Sequence, residues 1–316
     1  MTGIRAILGA VLLLIVSGAA SAQVLRVAVI SDLNGSYGST EYNPRVSVAV
    51  QRIIALAPDL VISTGDMVAG QRRPILGEPE VRAMWDAFHE TVTNPLTRAG
   101  IPVVVTPGNH DASAYGGFER ERAIFAEEWI LRKPKLDFVD DRDFPFFYAF
   151  RMKGMTFVSL DATVLGPLSG GQEQRLCAAA AGRGTVIAYS HLPLWPFAVD
   201  RETEVIGDPG LQDLFRSIGL DMHLSGHHHA FYPGWKDGTV FVGQGCLGGG
   251  PRRLIGTTKR SVPSFTLLAI SETGDIGITA YQGETFSEPV DWAGLPPRIV
   301  DGTSALTRLD LAPQAP

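Results

Sequence analysis

The feature that most constrains the fold of this chain is a repeated order of apolar run, polar loop and helical segment. Short runs of aliphatic and β-branched residues occur at Leu25–Ile30, Leu60–Ser63 and Pro102–Thr106. Apolar residues with helical spacing follow the first two runs, at Arg45–Ala57 and Glu78–Arg98. Continuous apolar strands that alternate with helices are typical of an α/β fold whose strands are covered on both faces. The sequence therefore predicts an α/β protein.

The second half of the chain keeps this alternation but adds hairpins. Phe146–Met152 and Met155–Leu160 are separated by Lys153-Gly154, which predicts two antiparallel strands. The sheet should therefore be mixed, and we predict one domain over residues 24–282. From Gly283 onward Pro and Gly dominate and the periodicity fades, so residues 283–316 are expected to form an extended or partly disordered tail.

The first 22 residues are interpreted as a secretory signal peptide. A single cation, Arg5, precedes an apolar run at residues 6–16, and small residues close on Ala20-Ser21-Ala22. The run is shorter than the ~20 apolar residues that a membrane span needs. Cleavage near Ala22 would leave a periplasmic or secreted protein that begins at Gln23 and has no membrane span. An uncleaved N-terminal anchor is the alternative.

Charge excludes one class of partner, while the cysteines leave two alternatives open. The net charge is −6, and it falls to −7 without residues 1–22 because Arg5 is lost. An acidic surface repels polyanions, so we expect no broad nucleic-acid-binding face. Cys177 and Cys246 are the only cysteines. They either pair as a disulfide after export or remain small buried residues.

Five predicted strands each end in a loop that opens with metal-binding residue types. These residues are Asp32 and Asn34, Asp66, Asn109 and His110, His191, and His227 and His229. In α/β sheets, loops at the carboxyl ends of strands converge on one site. Carboxylate, amide and imidazole donors without a thiolate suit hard or borderline cations. The sequence therefore predicts a metal site at this edge.

These loops carry motifs that resemble those of the calcineurin-like metallophosphoesterases. The motifs are Asp32-Leu33-Asn34, Gly65-Asp66, Gly108-Asn109-His110-Asp111, Ser190-His191 and Gly226-His227-His228-His229, in the family's order. The resemblance implies two mixed β-sheets packed as a sandwich with helices outside. It also implies hydrolysis of phosphoester bonds with two divalent metal ions, namely Mn, Fe or Zn.

The resemblance also assigns roles to single residues. Asp66 would bridge the two metals. Asp32, Asn34 and His229 would complete one site, and Asn109, His191 and His227 the other. His110 would lie beside the metals and stabilise the transition state or protonate the leaving group.

One position departs from the family pattern, because Asn34 stands where a histidine is usual. An amide oxygen still binds hard cations, and the Asp-Leu-Asn motif resembles that of a bacterial secreted subset. Asn34 keeps an alternative function open, namely a catalytically weak metal-binding or scaffold protein that retains the fold.

The expected mechanism is attack of a metal-bound hydroxide on phosphorus. Charge that develops on the phosphoryl oxygens needs fixed positive partners, for which Arg252 and Arg253 are candidates.

The run Gly248–Gly250 before them lacks a following G-K-[ST], so it predicts a turn rather than a nucleotide-binding loop. Asp111 is interpreted as orienting His110 or capping a turn. The substrate is a phosphorylated small molecule or another phosphoester, and monoester, diester, nucleotide and phosphoprotein stay open.

Overall fold

A computed structural model describes residues 24–182, 184–302 and 304–313. Two mixed β-sheets pack against each other, and helices cover their outer faces. The α/β sandwich predicted from the sequence is confirmed. The predicted signal peptide, residues 1–22, lies outside the described residues. Among the helices of the described part, none is both long and apolar enough to cross a membrane.

The described residues form fifteen strands and seven α-helices. The strands are β1 (Leu25–Ile30), β2 (Leu60–Ser63), β3 (Val103–Val105), β4 (Asp137–Asp143), β5 (Phe147–Met152), β6 (Met155–Ser159), β7 (Val186–Ser190), β8 (Met222–Ser225), β9 (Tyr232–Lys236), β10 (Thr239–Gly243), β11 (Phe265–Ile270), β12 (Ile276–Gln282), β13 (Glu288–Pro289), β14 (Arg298–Asp301) and β15 (Ser304–Arg308). The helices are α1 (Pro44–Leu56), α2 (Glu78–Phe88), α3 (Asn94–Arg98), α4 (Asn109–Ala112), α5 (Glu119–Leu131), α6 (Gln172–Ala180) and α7 (Pro209–Ile218).

Each sheet combines a parallel centre with antiparallel edges. The first sheet has the order β13-β12-β11-β1-β2-β3, in which β1, β2 and β3 are parallel. The second has the order β14-β15-β9-β10-β8-β7-β6-β5-β4, in which β6, β7, β8 and β10 are parallel. The parallel strands of each sheet therefore end at a common edge, where their loops meet.

A buried tyrosine joins the two sheets near this edge. The hydroxyl of Tyr148 on β5 donates to the carbonyl of Val105 (2.5 Å) and accepts from the N–H of the same residue (3.0 Å). The hydroxyl of Tyr189 on β7 donates in turn to that of Tyr148 (2.9 Å). Because β3 is an edge strand, Tyr148 satisfies backbone groups that would otherwise be buried without partners. It also holds the carboxyl end of β3 against the second sheet.

The structure contains elements that the periodicity did not predict. The helix expected over Glu78–Arg98 is interrupted by a π-helical turn at His89–Thr93. Strand β4 was not predicted, because this acidic edge strand exposes most of its residues and shows little apolar alternation. Helix α7 was also missed, although Asp208 caps its first turn by accepting from the N–H groups of Gly210 and Leu211.

The segment after residue 283 forms more regular structure than its sequence predicts. Strand β13 pairs with β12, and β14 and β15 form a hairpin that pairs with β9. These short strands lie at or next to the edges of the sheets, and few of their residues are fully buried. A sequence pattern based on buried positions therefore gives little signal here.

Both cysteines are free thiols in the structure. Cys246 is fully buried, and Cys177 on α6 is half-buried.

Candidate metal centre

The predicted metal ligands come together at the carboxyl edges of both sheets. Asp32, Asp66 and Asn109 follow β1, β2 and β3 of the first sheet. His191 follows β7, and His227 and His229 follow β8, all in the second sheet. The site therefore lies between the two sheets, and neither sheet supplies it alone.

Three atoms that can bind a metal surround one ring nitrogen of His191. Its Nε2 lies 3.0 Å from Asn109 Oδ1, 3.2 Å from Asp66 Oδ2 and 3.3 Å from His227 Nδ1. Ligands bonded to one cation at about 2.0–2.2 Å are separated from each other by roughly 3.0–3.5 Å. The observed separations fit this spacing, so these four residues can hold one divalent cation.

Hydrogen bonds on the outer side of these residues fix which atoms point inward. His191 Nδ1 lies 2.8 Å from the Thr64 carbonyl, and His227 Nε2 lies 2.8 Å from Glu204 Oε2. Both partners are acceptors, so these ring nitrogens carry the protons. When each imidazole is neutral, its opposite ring nitrogen therefore presents a lone pair to the centre of the site. Such facing acceptors repel one another unless a proton or a metal cation lies between them.

A second donor pair, Asp32 and His229, lies beside the first group. Their Oδ1 and Nε2 atoms are 3.0 Å apart, and His229 Nδ1–H donates to the Gly250 carbonyl (3.1 Å). Asp32 Oδ2 accepts from Ser31 Oγ–H (2.6 Å) and from the N–H of His227 (3.1 Å). Asp32 Oδ1 is buried and lies against His229 Nε2, as two ligands of one cation would. When the imidazole loses its proton, both atoms can bind one cation.

Asn34 borders the cavity of the metal centre. Its backbone N–H donates to the Asp66 carbonyl (3.2 Å). The cavity is also lined by Asp66, His110 and His229. The assignment of Asn34 as a metal ligand stays a prediction.

The loops of the site adopt a strained backbone. Asp32, Asp66, His227 and His229 have φ angles of 50°, 54°, 63° and 48°. Residues other than glycine rarely adopt this left-handed region, and such strain is concentrated at functional sites. Gly108 is required for the close approach of two loops, since a Cβ at this position would lie 2.1 Å from the Asp66 nitrogen.

His110 lies beside the ligand cluster. Its Nε2 is 3.9 Å from Asp66 Oδ2, and its Nδ1–H donates to the Gly70 carbonyl (2.9 Å). The Tyr37 ring packs near it, with ring centroids 5.1 Å apart. The hydrogen bond to Gly70 leaves Nε2 free to exchange a proton within the cavity.

Asp111 connects two of the loops. Its Oδ2 accepts from the N–H of Gly108 (2.9 Å), and its Oδ1 accepts from those of Met67 (2.7 Å) and Val68 (2.9 Å). The capping interpretation fits these contacts. The same contacts tie the turn at Asn109 to the loop that carries Asp66.

Four further residues adjoin the centre, of which Gln71, Glu204 and Cys246 were not predicted. Gln71 Oε1 accepts from Asn109 Nδ2–H (2.6 Å), which turns the amide oxygen of Asn109 inward. Glu204 orients His227 as described above. His228 accepts from the N–H of Phe197 (3.0 Å) through Nδ1, and its Nε2–H donates to the Glu204 carbonyl (3.0 Å). The buried side chain of Cys246 lies near His229.

The two predicted arginines separate in the structure. Arg252 borders the metal cavity, and its guanidinium donates to the His227 carbonyl. Burial, together with the neighbouring Arg201, lowers the pKa of Arg252. Arg253 is exposed and lines a different cleft. Gly248 packs against the backbone of Leu33 and Asn34, in agreement with a turn at Gly248–Gly250.

A sequence profile of the calcineurin-like phosphoesterases matches residues 25–231, about two thirds of the 316 residues. This chain belongs to the calcineurin-like phosphoesterase family. The family's name describes phosphoesterases, which are hydrolases that act on phosphoester bonds. Among proteins of curated function, none matches the sequence of this phosphoesterase significantly.

Solved structures share the fold at low sequence identity. The purple acid phosphatase PPD1 from yellow lupin seeds is 17% identical with a TM-score of 0.65, and the match covers 85% of this chain and 53% of the lupin chain. A dimetal phosphatase from Danio rerio is 16% identical with a TM-score of 0.58 and coverages of 84% and 98%. GAP50, the anchor in the inner membrane complex of Plasmodium, is 14% identical with a TM-score of 0.55 and coverages of 85% and 87%. This phosphoesterase therefore spans about half of the lupin chain.

Cation binding by this phosphoesterase should release protons. Burial opposes the charged imidazole, but Asp66 and Asp32 raise the pKa of His191 to about 9, and Asp32 raises that of His229 to about 10. Near neutral pH, below both pKa values, the metal-free histidines are protonated, whereas a ligand imidazole must be neutral. We expect the affinity for Mn²⁺ to rise with pH by about tenfold per unit for each proton displaced. Calorimetry in two buffers of different ionisation enthalpy would count the protons that Mn²⁺ binding releases. A count of zero, together with an affinity that does not change with pH, would contradict the expected proton release.

Replacing Glu204 should weaken the metal site without touching a predicted ligand. Glu204→Ala removes the acceptor that orients His227, and loss of such a partner typically lowers metal affinity about 10–100-fold. Glu202→Ala is the matched control, because Glu202 is exposed on the same loop. Titration with Mn²⁺ should separate the two variants. Equal affinities in both would show that the contact does not orient His227.

Proposed function

We propose that this phosphoesterase cleaves its substrate with two divalent cations that share the carboxylate of Asp66. The main support is the set of inward-facing donors around His191 Nε2, at separations of 3.0–3.3 Å. The buried Oδ1 of Asp32, 3.0 Å from Nε2 of His229, supports a second cation that both atoms would bind. Mixed carboxylate, amide and imidazole donors suit Mn, Fe or Zn.

When bound, two cations of this kind lower the pKa of a water and polarise the phosphoryl oxygens. The side chains around them hold and orient the substrate. The cavity that contains Asp66, His110 and Arg252 has a volume of about 740 Å³. Small-molecule sites are typically about 300–1,000 Å³, so a phosphorylated small molecule fits.

We assign proton transfer or phosphoryl stabilisation to His110. Its Nδ1–H is held by the Gly70 carbonyl, so Nε2 is the atom that faces the cavity. A protonated Nε2 donates to a phosphoryl oxygen or to the departing oxygen of the leaving group. Arg252 borders the same cavity with a charged guanidinium, which binds phosphate oxygens in a fork.

The alternative, a scaffold protein that keeps the fold with little turnover, rests on Asn34. GAP50 is an example of a related fold in an anchoring protein. The hydrolase is favoured because this chain retains the full set of donors around His191 and also the free Nε2 of His110.

Two variants would test the two-cation proposal by separating metal binding from proton transfer. Activity would be measured on p-nitrophenyl phosphate and bis-p-nitrophenyl phosphate with Mn²⁺, together with metal content. Asp66→Asn should abolish hydrolysis and lower the metal content, because both cations share this carboxylate. His110→Ala should lower kcat by about 10²–10⁴-fold at unchanged metal content.

Asp86→Asn on the exposed face of α2 is the control for a lost carboxylate. Full turnover by Asp66→Asn would overturn the shared-carboxylate proposal. Loss of metal in His110→Ala would show that His110 is a ligand rather than a proton donor.

We also propose that the protein is exported, on the sequence of residues 1–22 alone. Protein isolated from the natural host should begin at Gln23 and lie outside the inner membrane. N-terminal sequencing of this material would check the cleavage. An intact Met1 on membrane-extracted protein would instead favour the uncleaved anchor.

A further inference from the structure

A second cleft lies next to the metal cavity and is rich in arginine. It has a volume of about 440 Å³, and four of its seven lining residues are arginines. We call it the arginine cleft and define it by Arg201, Arg252, Arg253 and Arg260, with Asp200 as its only acidic lining residue. The protein as a whole has a net charge of −6, so the local charge of this cleft is opposite in sign to that of the whole chain.

Backbone pairing brings the arginines together. The N–H of Val199 donates to the Arg253 carbonyl (2.9 Å), which joins the segment before Arg201 to the segment after Gly250. Arg253 and Arg260 face each other in an antiparallel bridge. Like charges directly opposite in such a pair repel each other. An anion bound between them would offset this cost.

Several guanidinium donors in the cleft are unused. Arg201 Nε is buried and has no hydrogen-bond partner within the described ranges. The guanidinium of Arg253, an exposed residue, makes no hydrogen bond or ion pair to any residue that the structure describes. A buried N–H without an acceptor is costly, so this arrangement favours a ligand that brings oxygens.

The charge balance indicates which anion fits. Arg201 pairs with Glu204 (2.6 Å), and Asp200 is the other nearby acid. Arg252 and Arg260 donate to backbone carbonyls and form no ion pair with a described residue. Four cations against two anions leave two positive charges. A phosphate monoester carries about −1.5 to −2 near neutral pH, which matches this excess better than the single charge of a carboxylate.

Arg252 connects the arginine cleft to the reaction, because its side chain borders both the cleft and the metal cavity. A substrate whose scissile phosphate lies at Asp66 can therefore extend past Arg252. We propose that the arginine cleft binds a second phosphate group carried by the leaving group, so that bisphosphorylated molecules are the preferred substrates. This inference rests on the proposed function. Guanidinium groups bind phosphate in a bidentate manner, which gives such a cleft geometric selectivity.

A series of linear α,ω-alkanediol bisphosphates and the matching ω-hydroxy monophosphates would test this in the Mn²⁺-loaded enzyme. For the best chain length, wild-type kcat/KM should favour the bisphosphate by about ten- to a hundredfold. Arg260→Glu should remove this preference and change turnover of the monophosphate by no more than about threefold, because Arg260 does not line the metal cavity. Arg98→Glu, at an exposed residue at the end of α3, is the control for charge reversal and should keep the preference.

Calorimetry with alkane bisphosphonates and monophosphonates, which are not hydrolysed, provides a second measurement that does not depend on turnover. Equal kcat/KM values for mono- and bisphosphates, and equal affinities for mono- and bisphosphonates, in the wild type would overturn the inference. A preference that survives Arg260→Glu would also overturn it, because the second phosphate would then bind elsewhere. Absence of hydrolysis with a phosphonate preference that Arg260→Glu removes would contradict the proposed function and leave the arginine cleft supported.

Discussion

The hydrogen bond from His191 Nδ1–H to the Thr64 carbonyl is the interaction on which the metal centre depends. It joins the second sheet to the first, since His191 follows β7 and Thr64 follows β2. It also fixes the tautomer of His191, so that the lone pair of Nε2 faces Asp66 and Asn109. This contact therefore links the two sheets at the candidate site and orients its central imidazole.

The surrounding structure compensates for the strain that this arrangement imposes. Asp32 and Asp66 hold left-handed backbone conformations, which persist only when neighbouring contacts over-determine them. The three N–H groups that donate to Asp111 and the inter-sheet contacts of Tyr148 are such contacts. Glu204 links the metal cavity to the arginine cleft, because the Glu204 carboxylate contacts His227 on one side and Arg201 on the other. Metal binding and occupancy of the arginine cleft should therefore influence each other.

Much of the fold and of the donor set was predictable from the sequence, because both rest on local patterns. The central strands are buried on both faces, so their continuous apolar runs stand out. Asp32 and Asp66 follow these runs directly, and parallel strands end at a common edge. The exposed strand β4 and the short strands after residue 283 escaped prediction because little of their surface is apolar and buried. The ligand role of Asn34 stays a prediction.

The sequence by itself therefore determined the α/β fold class and the residue types at the strand ends, since these follow from burial and from the position of each loop along the chain. Only the tertiary structure decided which atoms of those residues point inward, because the orienting partners Gln71 and Glu204 lie in loops without a motif. It also decided that Arg252 borders the metal cavity while its neighbour Arg253 faces a separate cleft. Contacts between residues far apart in sequence depend on how the two sheets pack, and no local pattern encodes that packing.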